Sequence, residues 1–252
     1  MSVAQPVVRF GLIGTPLSHS FSQRFFTEKF HREGLSDHRY DPFPIAAIEE
    51  LPQLVADTPG LRGLNVTIPY KQSVVPFLHS VDTLAAAVGA VNTVRIEDGK
   101  LIGYNTDVEG FRQLLLPLLP KPKPRALVLG SGGASRAVAY VLKEQGIKFR
   151  VVSRSRERGD MTYDLLEPIV VDVCKLIINT TPVGMHPNVE ELPPLPYSAI
   201  GDRHVLIDLV YNPERTAFLQ EGEAHGAVVT NGMAMLVAQA EASWKVWKRE
   251  GQ

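Results

Sequence analysis

Residues 125–135 read RALVLGSGGAS, an apolar run that ends in a glycine-rich turn, and this stretch decides the fold. A buried strand is predicted over 125–129, a helix from there to about Gln145, and a second strand over 149–152. Strand, glycine turn, helix and strand within about 30 residues are typical of a dinucleotide-binding unit. There the first glycine permits the tight turn, and the second lets the backbone approach a pyrophosphate. The predicted cofactor-binding residues are Gly130, Ser131, Gly132, Gly133 and Ala134, and a glycine turn without a ligand is the alternative.

The residues after the second strand indicate which cofactor this unit takes. NAD sites usually carry Asp or Glu there to hold the ribose 2′-hydroxyl, whereas this chain reads SRSRER over 153–158. An arginine suits a 2′-phosphate, which an acid would repel. The sequence therefore predicts NADP, although Glu157 tempers that preference and a solvated arginine loop is the alternative. The predicted pocket consists of Ser153, Arg154 and Ser155, with Arg156 or Arg158 as a second cation.

Composition excludes several classes of protein. The 252 residues are 44% hydrophobic and 21% charged, which is typical of a folded chain with one large or two modest domains. A net charge of −1 gives no global attraction to nucleic acid or to an anionic membrane, and no apolar run is long enough to span a bilayer. Cys174 is the single cysteine, so a disulfide framework is excluded and a cytoplasmic location is expected. The seven histidines show no metal-ligand spacing, so no metal is predicted.

Short strands alternate with helical segments along the whole chain. Strands are predicted over 7–13, 38–43, 63–68, 175–179, 205–209 and 227–229, and helices over 22–33, 45–55, 107–116, 163–173 and 214–225. A hairpin is predicted over 91–104, where the Asp98-Gly99 pair suits the turn, and it is expected to form an antiparallel edge. The alternation implies an α/β fold with parallel strands. Only about twenty residues separate Arg154 from the strand at 175, so the crossover there should be abbreviated.

Polar residues at the ends of the first strands form a candidate substrate site. Ser20 and Ser22 lie at a helix start, where hydroxyls and free amides suit a carboxylate, with ordinary capping serines as the alternative. Asn65 and Thr67 are predicted to share one strand face, and Lys71 to follow Pro69 at the start of a helix. Further polar groups come from Asn92 and from residues 105–107, which read NTD.

Seven motifs occur in the order found in one enzyme family. They are residues 14–22 (GTPLSHSFS), 65–71 (NVTIPYK), 89–93 (GAVNT), 105–107 (NTD), 130–135 (GSGGAS), 208–213 (DLVYNP) and Gln239. On these motifs the chain resembles the shikimate dehydrogenases from end to end. The resemblance implies reversible reduction of 3-dehydroshikimate to shikimate with NADPH, a step of aromatic amino-acid biosynthesis. It also implies a cleft between two domains. The expected division is a substrate-binding α/β domain over 1–104, an NADP-binding Rossmann-like domain over 105–231, and a C-terminal helix over 232–252 that packs back on the substrate domain.

The resemblance also assigns roles to individual residues. Lys71 matches the catalytic lysine of the family and Asp107 its partner. Ser20 and Ser22 are expected to bind the substrate carboxylate, and the expected ligands of the substrate hydroxyls are Thr67, Asn92, Asp107, Tyr211 and Gln239. The cofactor wall is expected to comprise residues 130–134 and 153–158 with Leu209 and Gly232. Two departures from the family are Gln23, where proline is frequent, and the pair Ser153 and Ser155, which flank Arg154 in place of Asn and Thr.

The chemistry of ketone reduction gives the same role to Lys71. Hydride delivery to a ketone carbon leaves charge on the oxygen, so the site needs a proton donor and a cation there, and a lysine ammonium is both. A quinate/shikimate dehydrogenase that uses NAD(P) is the nearest alternative, and a catalytically silent nucleotide-binding sensor on the same fold is another. The sequence leaves the oligomeric state open, a homodimer included.

Overall fold

The computed structural model describes residues 7–15, 17 and 21–248. Within these ranges the chain forms two α/β units. One contains the residues up to Thr106 together with those from Ala240 onward, and the other contains Asp107–Gln239. The predicted α/β class is confirmed. The division after Thr106 and after Gln239 lies a few residues beyond the limits expected at 104 and 231.

The first unit is built on a six-stranded mixed sheet. Its strands are β1 (Val8–Gly14), β2 (His38–Pro44), β3 (Leu61–Val66), β4 (Ser80–Val81), β5 (Thr93–Glu97) and β6 (Lys100–Tyr104), in the order β2-β1-β3-β5-β6-β4. β1 pairs in parallel with β2 and β3, whereas β5 pairs antiparallel with both β3 and β6. The predicted hairpin is therefore present, with Asp98 and Gly99 at positive φ in its turn. The expected edge is wrong, because β4 pairs with β6 outside the hairpin.

The second unit is built on a six-stranded sheet that is wholly parallel. Its strands are β7 (Ala126–Leu129), β8 (Phe149–Ser153), β9 (Met161–Thr162), β10 (Leu176–Asn179), β11 (Val205–Asp208) and β12 (Val228–Thr230). The order β12-β11-β10-β7-β8-β9, read from its far end, is the 3-2-1-4-5-6 order of a dinucleotide-binding fold. The Rossmann-like prediction is confirmed. The two-residue strand β9 was not predicted, because its pairing with β8 leaves no periodic signal in the sequence.

Eight α-helices accompany the two sheets in the described part of the chain. They are α1 (Phe21–Arg32), α2 (Leu51–Asp57), α3 (Thr83–Val88), α4 (Asp107–Leu115), α5 (Gly133–Glu144), α6 (Pro168–Val173), α7 (Ala217–Ala224) and α8 (Met233–Trp247). None of them is long and apolar enough to cross a membrane. The abbreviated crossover is present as the six-residue α6, which begins at Pro168 because proline is tolerated in the first helical turn.

Proline explains the main error in the predicted helices. No α-helix begins near Lys71, since residues 68–74 form consecutive turns that lead to a single 3₁₀ turn at Val75–Phe77. Pro69 and Pro76 both lack an amide donor, so neither can make the backbone hydrogen bond that continues a helix. Thr67 likewise lies just beyond β3, so it does not share a strand face with Asn65.

The C-terminal helix packs on the first unit through aromatic side chains. Residues of α8 from Ala240 onward join a buried cluster with α1 and the first two strands, and its large members are Phe10, Phe26, Phe30, Tyr40, Trp244 and Trp247. The rings of Phe10 and Trp247 stack with their centroids 4.8 Å apart. The Trp247 indole donates to the Val94 carbonyl at 3.0 Å, so the helix is also hydrogen-bonded to β5. The expectation that this helix returns to the substrate-domain fold is confirmed.

Cys174, which follows α6, is part of the apolar core of the second unit. Only 7% of its surface is exposed, and burial raises the pKa of its thiol. The thiol is therefore protonated and shielded at neutral pH.

Replacement of Gly63 by alanine should weaken the docking of α8. A methyl group on Gly63 would overlap the Trp247 indole, which would have to move away from the Val94 carbonyl. We expect a loss of about 1–3 kcal/mol in the free energy of unfolding, because overpacking of a close-packed core costs this much. Urea denaturation of Gly63→Ala checks it.

Gly201→Ala is the matched control, since a methyl group there would meet no atom within 4 Å. It should change the free energy of unfolding by less than about 0.5 kcal/mol. Equal stability of the two variants would contradict this account of the Gly63 contact.

Candidate functional site

Backbone hydrogen bonds at the end of β3 bring together three of the predicted site residues. The Val66 amide donates to the Asn92 carbonyl at 2.8 Å, and the Val91 amide donates to the Lys71 carbonyl at 2.7 Å. Thr67, Lys71 and Asn92 therefore lie around the same strand end, although the predicted helix at Lys71 is absent. Thr67 and Lys71 are partly exposed, so both can meet a ligand.

The Asn92 side chain is buried and held by Thr106. Its Oδ1 accepts from the Thr106 amide at 2.7 Å, and its Nδ2 donates to the Thr106 hydroxyl at 2.9 Å. Only 2% of Asn92 is exposed, so these bonds form in a medium where they are not replaced by water. The next residue in the chain, Asp107, begins α4 in the second unit and is also buried.

A group of buried side chains lies behind this strand end, and we call it the Asn65 network. Its members are Tyr40, Asn65, Thr93, Thr106 and Ser243. The Tyr40 hydroxyl donates to Asn65 Oδ1 at 2.8 Å, and Asn65 Nδ2 donates to Ser243 Oγ at 3.0 Å. Of these residues the sequence predicted Asn65 directly, and it included Thr93 and Thr106 within the motifs GAVNT and NTD. Tyr40 and Ser243 were missed as functional candidates.

Ser22 is the predicted carboxylate ligand that the structure describes, whereas Ser20 lies outside the described residues. Ser22 is the second residue of α1, is buried, and hydrogen-bonds the Tyr40 hydroxyl. Burial raises the pKa of Tyr40, against a lowering by the Ser22 hydrogen bond, so the phenol stays protonated. The serine is therefore linked to the Asn65 network.

In the second unit, the glycine turn has the form expected of a phosphate-binding loop. Gly130 follows β7 with φ of 108°, a conformation that L side chains rarely adopt, and a Cβ there would lie 2.7 Å from Thr180 Oγ1. A Cβ on Gly132 would meet no atom within 4 Å, so this backbone is open to a ligand. Gly132 caps α5, whose first amides have no partner within the helix. The predicted residues Ser131, Gly133 and Ala134 belong to the same turn and helix start.

The serines and arginines after β8 lie beside this turn. Ser131 and Ser153 approach with their hydroxyls 3.3 Å apart, and the Ser155 amide donates to Ser153 Oγ at 3.4 Å. A surface cavity of about 260 Å³ adjoins them, and its lining includes Ser131, Ser135, Arg136, Arg158 and Asp160. Arg154 and Arg158 are both exposed. Arg136 was missed by the sequence analysis, and its signal was a cation in the first turn after the glycines.

The remaining predicted residues of the second unit lie near the ends of β10 and β11 or on α8. The Leu209 amide donates to the Asn179 carbonyl at 2.9 Å, and Gly232 packs so closely on the Leu209 carbonyl that a side chain at Gly232 would overlap it. Tyr211 is partly buried in the following loop. Gln239 is buried on α8, where its Nε2 donates to the Leu236 carbonyl at 2.9 Å.

Asp208 is a buried carboxylate at the end of β11. It accepts three hydrogen bonds, from Asn179 Nδ2 at 3.0 Å, from the Val210 amide at 3.0 Å and from the Thr216 hydroxyl at 2.6 Å. Burial nevertheless raises the pKa of Asp208 to about 6. These bonds fix the start of the loop that carries Leu209 and Tyr211. In the described part of the chain, no three His, Cys, Asp or Glu side chains form a group that could hold a metal ion.

Comparison with known proteins gives the family of this chain. Residues 12–94 match the family model described as the shikimate dehydrogenase substrate binding domain. A shikimate dehydrogenase (NADP(+)) of Methanococcus maripaludis is 37% identical over 261 aligned positions, which cover 94% of this chain and 90% of the relative. The chain belongs to the shikimate dehydrogenase family.

Solved structures of shikimate dehydrogenases share the fold. The shikimate 5-dehydrogenase of Thermus thermophilus, solved with NADP(H) and shikimate, is 32% identical with a TM-score of 0.85, and the match covers 96% of this chain and 94% of that one. A quinate dehydrogenase of Corynebacterium glutamicum, solved with NAD, is 27% identical with a TM-score of 0.82, over 96% and 94% of the two chains. These shikimate and quinate dehydrogenase structures thus have one architecture in common with this chain.

The raised pKa of Asp208 predicts a pH dependence of stability in this shikimate dehydrogenase. The native carboxyl binds its proton more tightly than the unfolded one, whose pKa is near 3.8. The contribution of Asp208 to the free energy of unfolding is therefore fully present below about pH 4. It is lost as the pH rises through about 6, and the total loss is up to about 3 kcal/mol. In Asp208→Asn this loss should be absent, because an amide does not titrate in this range. The variant should still fold, since the amide keeps two acceptor bonds and can donate to the Thr216 hydroxyl.

Urea denaturation of wild type and Asp208→Asn between pH 4 and pH 7 measures the difference. Asp172→Asn is the control. A hydrogen bond from Lys175 lowers the pKa of Asp172, so the contribution of Asp172 to stability should change with pH in the opposite direction. Parallel pH profiles for wild type and Asp208→Asn would show that Asp208 is not the group responsible.

Proposed function

We propose that this protein is an NADP-dependent shikimate dehydrogenase that reversibly reduces 3-dehydroshikimate to shikimate in the shikimate pathway. The observation that carries the proposal is the grouping of Thr67, Lys71 and Asn92 at the end of β3, around a partly exposed lysine. Membership of the shikimate dehydrogenase family supports it, as does a relative that bears the NADP(+) enzyme name at 37% identity. The second unit, whose strands have the order of a Rossmann fold, supplies the place for the dinucleotide.

The residues of the second unit fit NADP. The open backbone at Gly132 and the first amides of α5 suit a pyrophosphate, and Gly130, Ser131, Gly133 and Ala134 complete that turn. Ser153, Arg154 and Ser155 are the proposed 2′-phosphate ligands, with Arg158 and Arg136 as nearby cations around the cavity. Leu209 and Gly232 are proposed as the wall beside the nicotinamide. When bound, NADPH supplies the hydride.

The substrate ligands are proposed from the first unit and from three further side chains. Ser20 and Ser22 are assigned to the carboxylate, and Ser22 offers its hydroxyl in the first turn of α1. Thr67 and Asn92 are assigned to the substrate hydroxyls. Asp107, Tyr211 and Gln239 complete the proposed set, and two of them, Asp107 and Gln239, are buried polar groups.

Lys71 is the proposed proton donor. Its ammonium stabilises the negative charge that develops on the substrate oxygen and transfers a proton to it. In the reverse direction the neutral amine accepts the proton of the substrate hydroxyl. Asp107 is the proposed partner that orients Lys71, and the bond from the Val91 amide holds the backbone of Lys71 at the strand end.

Lys71→Ala tests the proposed proton donor. We expect kcat for shikimate oxidation to fall roughly 10²–10⁴-fold while KM changes much less, since the lost interaction belongs to the transition state. Nicotinamide absorbance measures both. Lys100→Ala, at an exposed position on β6, is the control and should keep wild-type kinetics. A Lys71→Ala enzyme with unchanged kcat would remove Lys71 from the mechanism.

Arg154→Ala tests the proposed cofactor selectivity. We expect KM for NADP to rise roughly 10- to 100-fold with little change for NAD, because a hydrogen bond to a charged group contributes about 1.5–3 kcal/mol. Arg150→Ala, at an exposed position of the same strand, is the matched control. Equal losses for NADP and NAD would assign the selectivity elsewhere.

A second candidate, quinate/shikimate dehydrogenase with NAD(P), is favoured by the likeness to the quinate dehydrogenase structure. Assays of wild type with shikimate and quinate, each with NADP and NAD, separate the two.

We also propose a cytoplasmic location, since the single cysteine is buried and unpaired. Light scattering on the same preparation measures whether two copies associate.

A further inference from the structure

The Asn65 network holds Asn92, one of the proposed substrate ligands, on two sides. Asn65 Nδ2 lies 3.3 Å from the Asn92 carbonyl, and Thr106 holds both polar atoms of the Asn92 amide. Ser243 contacts both Asn65 and Thr106, since its Oγ lies 3.0 Å from Asn65 Nδ2 and 3.0 Å from Thr106 Oγ1. The C-terminal helix therefore contributes a hydroxyl directly behind a proposed ligand.

Counting protons fixes the direction of these hydrogen bonds. Asn65 Nδ2 faces three oxygens, namely those of the Asn92 carbonyl and the Thr93 and Ser243 hydroxyls. Asn65 Oδ1 therefore faces Tyr40, which uses its single proton to donate to it. The Tyr40 oxygen then accepts the Ser22 proton as long as no substrate carboxylate takes that proton. Without the Tyr40 hydroxyl, Asn65 Oδ1 would lose this donor.

Three hydroxyls close the other side of the network. Thr93, Thr106 and Ser243 lie at mutual distances of 2.8, 3.0 and 3.1 Å, and each is at most 4% exposed. Thr106 accepts from Asn92 Nδ2, so its own proton is available to the other two hydroxyls or to Asn92 Oδ1. Removal of Ser243 Oγ would take one partner from each of its neighbours, in a region where water does not replace it.

We propose that Tyr40 and Ser243 are positioning residues for the substrate, which hold the backbone carbonyl of Asn92 through Asn65 and its side-chain amide through Thr106. The proposal rests on the proposed function, in which Asn92 binds a substrate hydroxyl. Neither residue needs to touch the substrate. They restrict Asn92 to one orientation before the substrate arrives, so their loss acts on affinity rather than on the chemical step.

Tyr40→Phe and Ser243→Ala delete single hydroxyls and test the proposal. We expect KM for shikimate, and Kd for shikimate from calorimetry without cofactor, to rise roughly three- to tenfold, as the loss of one hydrogen bond in the support predicts. The value of kcat should stay within about twofold of wild type, because the reacting groups are unchanged. Tyr197→Phe is the control, since the Tyr197 hydroxyl of the second unit donates to the Pro193 carbonyl, and it should keep the wild-type KM.

A double-mutant cycle separates positioning from general destabilisation. If Ser243 acts through Asn92, adding Ser243→Ala to Asn92→Ala should leave KM and Kd at the Asn92→Ala values. Additive losses would overturn the proposal, as would lowered melting temperatures with unchanged KM and Kd in both single variants. If Asn92→Ala does not fold, Tyr40→Phe with Ser243→Ala replaces the cycle, and a combined loss smaller than the product of the two is expected.

Measurements on the wild-type protein distinguish a failure of the proposed function from a failure of the proposed role of Tyr40 and Ser243. A wild-type protein that neither binds nor oxidises shikimate would overturn the proposed function and this inference together. A wild-type enzyme that oxidises shikimate, with single variants that keep its KM and Kd, would overturn this inference alone.

Discussion

A buried amide must find a partner for every polar hydrogen and oxygen it carries, and the first unit is arranged around that requirement at Asn65. The amide is reached by Tyr40 from β2, by Thr93 from β5 and by Ser243 from α8, so three elements distant in sequence converge on one side chain. An unsatisfied polar group in such a place would cost about 1–3 kcal/mol, which is a large part of the stability of an ordinary domain. The same convergence fixes the end of β3, where the backbone turns toward Lys71. Stability of this unit and the placement of Lys71, the proposed proton donor, therefore have a common origin.

The second unit positions its candidate residues by a different means. Its parallel strands bring their carboxyl ends to one edge, and the polar groups there are mainly backbone amides and short hydroxyls. The Asp208 carboxylate pins the loop after β11 through three donors, and the contact between Gly232 and the Leu209 carbonyl holds the chain where it enters α8. Such an edge suits a long, anionic ligand with many hydrogen-bond acceptors, whereas the first unit offers a compact polar cluster for a small hydroxylated acid.

Local patterns predicted most of the architecture, because strands, helices and the glycine turn each leave a periodic or conformational signal. The Rossmann-like fold of the second unit was predicted from one apolar strand, one glycine turn and one helix. Lys71 was assigned to a helix that Pro69 and Pro76 prevent, and β4 and β9 were missed because two residues carry no period. Tyr40 and Ser243 were not recognised because they lie 25 and 178 residues from Asn65 and resemble any other core tyrosine or serine. Such residues acquire a role only from the fold that brings them together.

The burial of Cys174 makes this chain a convenient starting point for spectroscopy. Its single native thiol is shielded in the core of the second unit and is protonated at neutral pH, so it reacts slowly with maleimides and similar reagents. A cysteine introduced at Ile68, which is 59% exposed and lies between Thr67 and Pro69, would therefore take up a fluorophore or spin label selectively without removal of the native residue. A reporter at that position would sense the surroundings of the strand end directly, in a protein whose core had been left untouched.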